Sequence, residues 1–283
     1  MKVAVLMLSY ERYETLKQVL ERNMNNAGYP FDLFIWDNGS QDKRVLKLLS
    51  EQNAAVVYAN KNEGIARPFN ELMDSCYLLG YDAFHVMAND ILEPDNWLAD
   101  KIAMIGALNK LHIPLQNGEL SGSPTFVSVK SGMVSIAPGS HNYPEITPCF
   151  HKADIPAAGY PSVYYPGDVI GQFMITREVY EKIGGFNEEF GYYGPIDNDY
   201  NARCAVMGFV NYYIPGQSQH VDASSADLYG YDKAAAVAKT WPIHVENVKR
   251  YQENPESCYM PVSGECIVNM KQFWDGKDNW ASK

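Results

Sequence analysis

Continuous apolar runs of strand length alternate with segments of helical apolar spacing through the first third of the chain, and this alternation restricts the fold more than any other feature. Lys2 to Leu8, Asp32 to Asp37, Ala54 to Ala59 and Ala83 to Ala88 read as strands, while Tyr13 to Met24, Lys43 to Glu51 and Arg67 to Leu79 read as the helices between them. Strands joined by helical crossovers lie parallel in one sheet, so the pattern predicts an α/β fold with a mostly parallel central sheet flanked by helices.

In open sheets of this kind ligands bind beyond the carboxyl ends of the strands. Each of the four runs stops at polar residues: Ser9 and Tyr10, Asp37 and Asn38, Asn60 and Asn62, Asn89 and Asp90. Together these ends outline one cleft. After a helix predicted over Asn96 to Leu108 the pattern loosens, and residues 113–168 are rich in Gly, Pro, Ser and Tyr, with short β-like runs at "TFVSVK" and "GMVSIA". A connection of this length inside a compact domain is expected to line or cover a site. Order resumes with a strand at Gly171 to Thr176, a short helix in "REVYEKIGGF", a helix at Asp197 to Met207 and a strand at Phe209 to Pro215. The tail holds a helix over Asp232 to Gln252, expected to break at Pro242. No repeat and no linker divides the chain.

Composition narrows the function. The 283 residues are 46% hydrophobic, enough for a sizeable core, and the net charge of -11 with no lysine or arginine block argues against a long phosphate-tracking surface. The apolar run after Lys2 is too short for a signal peptide, and no stretch has the length to span a membrane. The five cysteines include no C-x-x-C pair, which argues against a disulfide framework or zinc site and suits a reducing, cytoplasmic compartment.

Two acidic clusters could carry chemistry. Asp90, with Asn89, Glu93 and Asp95 nearby, offers hard oxygen ligands for Mg²⁺ or Mn²⁺, although turn formation and capping by Asp95 or Asn96 account for the same residues. Asp197 and Asp199 open a helix, where the macrodipole favours them, and Asp199 with Arg203 is an i,i+4 pair. The preceding "FGYYGP" has the composition of a wall for a flat or sugar-like ligand. His220, among small polar residues, is a candidate imidazole ligand or a surface residue.

Five motifs in order give these residues a context. "LSYER" (Leu8 to Arg12), "DNGSQD" (Asp37 to Asp42), "NEGIARPFN" (Asn62 to Asn70), Ala88-Asn89-Asp90 before "ILEP", and "IGGFNEEF" followed by "IDNDYNAR" together resemble the nucleotide-sugar glycosyltransferases of the GT-A fold, family two type, over roughly residues 3–215. The resemblance implies a GT-A fold with a Rossmann-like N-terminal half. The implied division is a catalytic domain over 1–215, with a nucleotide-sugar half at 1–110 and an acceptor half at 111–215, and a C-terminal extension over 216–283 that packs on it. The implied donor site comprises Ser9, Tyr10, Asp37, Asn38, Asn62, Gly64, Arg67 and Asn89, with Arg67 on the phosphates. Asp90 takes the place of the last acid of the metal-binding DXD motif, with His220 assisting it on Mn²⁺ or Mg²⁺, and Asp197 falls where the general base stands. Ala88 and Ile196 replace two acids of the family pattern.

What the resemblance implies is transfer of a sugar from a nucleoside diphosphate sugar, a UDP-sugar foremost, to an acceptor hydroxyl with inversion. The acceptor classes are a glycan, a lipid-linked glycan, a protein, a small molecule or a modified nucleic acid base. A retaining transferase, a non-catalytic nucleotide-sugar-binding protein and a nucleotidyltransferase are the alternatives; no glycine-rich basic loop follows the first strand to favour the last.

Overall fold

The computed structural model describes residues 1–109, 112–114, 126–128, 130–138, 165–166, 169, 171–221, 232–261 and 264–267. The elements are β1 (Val3–Ser9), α1 (Tyr13–Asn25), β2 (Asp32–Asp37), α2 (Lys43–Ser50), β3 (Ala54–Tyr58), α3 (Ala66–Leu78), β4 (Ala83–Met87), β5 (Ile91–Leu92) and α4 (Trp97–Leu108). Then follow β6 (His112–Pro114), β7 (Phe126–Ser128), β8 (Lys130–Pro138), β9 (Tyr165–Pro166), β10 (Phe173–Thr176), α5 (Arg177–Ile183), α6 (Ile196–Val206), β11 (Phe209–His220) and α7 (Lys233–Glu253).

Among the described residues one nine-stranded sheet has the order β3-β2-β1-β4-β10-β8-β11-β5, with β9 also on β11, and β6 and β7 form a separate pair. The first four strands are parallel, with Ser9 opposite Asp37 and Met7 opposite Met87. β10 runs antiparallel between β4 and β8, and β8 and β11 are again parallel. Val3, Val5 and Met7 of β1 join a core with Leu16 of α1, Val45 of α2 and Leu98 of α4. Ala4 and Leu6 pack on the opposite face with Leu72 of α3, Val179 of α5 and Tyr200 of α6. Strands covered on both faces read as unbroken apolar runs, which is why the sequence marks them without alternation.

Two expectations need correction. The strand expected at Phe209 to Pro215 continues to His220, and its end pairs with β5, Gln219 opposite Leu92 and His220 opposite Ile91. α7 runs unbroken through Pro242. The proline removes the donor for the Ala238 carbonyl, and Ala238 is an exposed residue of the helix. Within 113–168, the β-like runs expected at "TFVSVK" and "GMVSIA" fall on β7 and β8, and β8 is an interior strand of the main sheet; most of the remainder of that segment lies outside the described residues, as does most of the tail beyond Met260.

α7 docks on α6 through a buried charge network. Arg203 Nε donates to Asp199 Oδ2 at 2.9 Å, Arg203 Nη1 donates to the carbonyls of Ile183 and Cys258, and the Tyr251 hydroxyl donates to Asp199 Oδ1 at 3.0 Å. The Asp199 and Arg203 side chains are fully buried, so the i,i+4 pair is an anchor for the C-terminal helix. A second buried set lies under the β4–β5 loop, where Lys101 Nζ donates to Glu93 Oε1 and to His85 Nε2, the latter at 2.8 Å.

Burial, reinforced by the Lys101 charge, holds the His85 imidazole well below its ordinary range, and the folded protein keeps it neutral. In the unfolded chain it protonates below about pH 6.5, so this group's contribution to stability is present above that pH and is lost as the pH falls beneath it. His85→Gln retains an acceptor for Lys101 and does not titrate. Its melting temperature, followed from about pH 7 to about pH 5, should fall less steeply than that of the parent protein, for which His85 adds up to about 1.4 kcal/mol per pH unit.

Candidate active site

The carboxyl ends of β1 and β4 open into a cavity whose opposite wall is the loop before α6 and the first turn of that helix. Leu8 and Tyr10, Asn38, Asn62 and Gly64, Ala88 to Ile91, Tyr192 to Gly194, Asp197, His220 and Lys233 line it. Each wall has a local cause. Asn38 follows β2, and its side chain crosses to the loop after β3: Nδ2 donates to Asn62 Oδ1 and the Gly64 carbonyl at 3.0 and 2.8 Å, and Oδ1 accepts from the Glu63 N–H at 2.8 Å. Gly64 has φ of +84°, and a Cβ there would lie 2.8 Å from Tyr192 Cα, so only glycine lets the two walls close.

Asp37 is buried beneath this cavity. Its carboxylate accepts from Ser40 N at 3.0 Å and Ser40 Oγ at 2.6 Å, an Asx-type turn that closes "DNGS". Burial pushes the Asp37 carboxyl above its ordinary range, against the lowering effect of the Ser40 hydrogen bonds. Ser9 is also buried, and its Oγ has no partner among the described residues.

Asp90 stands at the cavity wall because the loop after β4 is held from below. Buried Asn23 of α1 donates to the Ile91 carbonyl at 2.9 Å and accepts from Glu93 N–H at 2.9 Å, while Glu93 itself is tied to Lys101. The pairing of β5 with the end of β11 places His220 beside it, with Nδ1 3.9 Å from Asp90 Oδ2, and Val221 N–H donates to the Asp90 carbonyl at 3.0 Å. The same Oδ2 accepts from Arg12 Nη1 at 2.8 Å, and the Arg12 side chain is 2% exposed. Arg12 and the preceding Glu11 both hold left-handed backbones, φ of 59° and 51°. Such conformations in residues other than glycine cost about 1–3 kcal/mol each and cluster at functional sites.

Asp197 lies in the first turn of α6, where the helix dipole favours its charge. Its Oδ2 accepts from the Gly171 N–H at 3.1 Å, which ties α6 to the turn two residues before β10.

Two solved structures share this architecture. A mannosyltransferase from Pyrobaculum calidifontis, PcManGT, in complex with GDP-Man and Mn²⁺, matches 98% of this chain and 79% of its own at 15% identity with a TM-score of 0.54. GalNAc-T7 with UDP, GalNAc and Mn²⁺ matches 98% of this chain at 14% identity with a TM-score of 0.58, and this chain spans 54% of it. The chain has the GT-A fold. No protein-family model matches the sequence, and no curated protein sequence does.

On this GT-A fold the residues expected at the donor site divide. Tyr10, Asn38, Asn62, Gly64, Asn89, Asp90, Asp197 and His220 line the cavity, whereas Ser9 and Asp37 lie behind the wall. Arg67 is outside it: the side chain is 58% exposed and its guanidinium lies 3.8 Å from Glu63, one helical turn back. Neither Asp95 nor Asn96 caps α4 with a side chain; Asp95 faces Arg22 at 3.5 Å on the surface. Sequence reasoning missed Arg12, although it lies within the quoted "LSYER", and Lys233, which begins a helix outside every motif.

Side chains of the described residues alone do not complete a site for a resident divalent ion. Among the described residues no three His, Cys, Asp or Glu side chains converge, Ala88 stands where an acid is expected, and Glu93 and Asp95 are engaged elsewhere. That leaves Asp90, already bound by a buried guanidinium, and the neighbouring His220.

Asn38→Ala should show that Asn38 builds the wall rather than merely facing it. Loss of three side-chain hydrogen bonds, two of them to main-chain groups, should lower stability by about 1–3 kcal/mol. Thermal melting checks this, at roughly 2–4 °C per kcal/mol for a chain of this size.

Proposed function

We propose that the protein is a glycosyltransferase that moves a sugar from a nucleoside diphosphate sugar to an acceptor hydroxyl. The observation that carries this reading is the cavity itself. One wall is built from the polar ends of β1, β2 and β4, and an aromatic and glycine-rich loop with an accessible carboxylate, Asp197, forms the other. The GT-A fold is consistent with it, and the two similar structures were solved with GDP-Man or UDP.

In this mechanism the donor half is residues 1–110. Tyr10, Asn62 and Asn89 face the nucleotide, while Ser9, Asp37 and Asn38 shape the turns beneath it. The sugar lies toward Tyr192, Tyr193 and Gly194, whose rings and bare backbone suit a pyranose face. Asp197 accepts the proton of the acceptor hydroxyl as its oxygen attacks the anomeric carbon. The new carbon–oxygen bond forms as the bond to the diphosphate breaks, and the nucleoside diphosphate departs with that electron pair, inverting the anomeric centre. The acceptor half begins beyond residue 110, and the catalytic unit ends with β11 at His220 rather than at 215, so that the extension starts with α7. No helix of the described residues is long and apolar enough to cross a membrane. Free Cys76, Cys204, Cys258 and Cys266 suit a cytoplasmic setting.

A thermal-shift panel of UDP, GDP, dTDP and CDP tests the donor assignment, with UDP expected to respond first. A nucleotide at about 100 times its dissociation constant should add roughly 2.7 kcal/mol of stability, and silence from all four would refute the donor site. Asp197→Asn should then lower turnover by about 10²- to 10⁴-fold while the nucleotide shift persists, because a general base acts on the chemical step and not on donor binding. Product stereochemistry read by NMR separates inversion from retention.

A further inference from the structure

A departing nucleoside diphosphate concentrates negative charge, and its departure is helped by fixed positive charge aimed at it in a water-poor site. Two cationic side chains of the described residues stand at the Asp90 corner of the cavity. Arg12 bonds Asp90 Oδ2 at 2.8 Å from behind the wall, and that contact is reached through two successive left-handed residues. Lys233, the first residue of α7, lines the cavity with Asp90 and His220.

The position of Lys233 is unfavourable on two counts. A cation in the first turn of a helix opposes the macrodipole. Partial burial also disfavours the charged form, and Arg12 adds to this while Asp90 resists it. A lysine that served only to solubilise α7 would meet no burial cost on its exposed face, whereas Lys233 Nζ turns toward the cavity, 5.3 Å from the ring centroid of Tyr193 on the facing wall. Meanwhile Asp90 is the acid that a divalent ion would need, and a dication placed on it would stand against the guanidinium that already holds it. The charge at this corner is therefore arranged for an anion without an added metal.

We propose that the diphosphate of the donor is held by protein cations in place of a divalent metal: Arg12 neutralises Asp90, and Lys233 contacts the phosphates. This rests on the donor reading above and departs from the metal dependence that the fold leads one to expect. The two assignments of Asp90 differ in sign. As a metal ligand, its loss would abolish diphosphate binding; as a carboxylate beside the phosphates, its neutralisation leaves binding intact or tightens it.

Calorimetric titration of UDP and GDP, with uridine and guanosine as phosphate-free controls, in EDTA and then in Mn²⁺, decides between them. The expected result is the same diphosphate affinity in both buffers, retained or increased in Asp90→Asn. In Lys233→Gln the diphosphate should weaken by about tenfold while the nucleoside is unaffected, the size expected for one charge-assisted hydrogen bond. Binding that requires Mn²⁺ and disappears in Asp90→Asn would overturn the proposal and leave the glycosyltransferase reading standing. Absence of nucleotide binding in either buffer would overturn both. Should Asp90→Asn fail to fold because Arg12 has lost its partner, the parent protein in EDTA and Lys233→Gln, altered only at the end of α7, still decide the question.

Discussion

Burial of β1 and β4 on both faces is the constraint from which the site follows. Apart from His85 of β4, which is paired with Lys101, their buried side chains before Ser9 are apolar on either side of the sheet, so most polar groups collect where the strands stop. Because β2, β1 and β4 run parallel and in register, the stops coincide: Ser9 lies opposite Asp37, and β4 ends beside them at Met87, just before Asn89 and Asp90. The main-chain groups released at those ends need partners. Asp37 and Ser40 close one turn, and Asn38 spans to Asn62, Glu63 and Gly64. The cavity is what remains when these turns have satisfied one another.

Buried ionic groups then fix the pieces that the hydrophobic core alone would leave loose. A buried ion pair contributes little net stability, since desolvation offsets attraction, but removing one partner is costly, so such a pair tolerates few alternative arrangements. Here each pair is close in sequence to a cavity residue. Asp199, held by Arg203 and Tyr251, follows Asp197 by two positions on α6. Glu93, held by Lys101 with His85 behind, follows Asp90 by three. The same network that seats α7 against α6 also fixes where α7 begins, and so brings Lys233 to the cavity from a part of the sequence with no motif.

The sheet was legible because its signal is local. Asp32 to Asp37 matches β2 residue for residue, and β1, β3 and β4 shift only at their ends, since strands covered on both faces are largely apolar. The polar strand ends were legible for the same reason, and eight of the residues named from sequence line the cavity. What the sequence did not show is partner choice. From sequence Glu93 and Asp90 are equal candidates for a metal ligand until Lys101 is placed under Glu93. Nor could the strand signal at Phe209 to Pro215 reveal the continuation of β11, because Gly216 to His220 owes its strand character to pairing with β8 and β5 rather than to apolar pattern.

The backbone of the β1–α1 loop and the charge at Asp90 are linked. An αL residue at the start of a helix is usually asparagine, aspartate or glycine, yet here Glu11 and Arg12 adopt it in succession, with Arg12 as the N-cap of α1 and no side-chain bond to the helix. Both side chains instead reach across the site. Glu11 accepts from the N–H groups of Gln41 and Asp42 after β2, and Arg12 donates to Asp90 after β4. Ordinary helical or extended dihedrals would send the two side chains in other directions and release both contacts. The strained pair therefore ties the ends of three strands together from the middle one, and it does so with one acid and one base, so that the loop itself adds no net charge to the wall. The positive charge left facing the cavity then comes from outside the sheet, at the start of α7. An acidic protein can in this way present a cation to an anionic ligand without a basic surface.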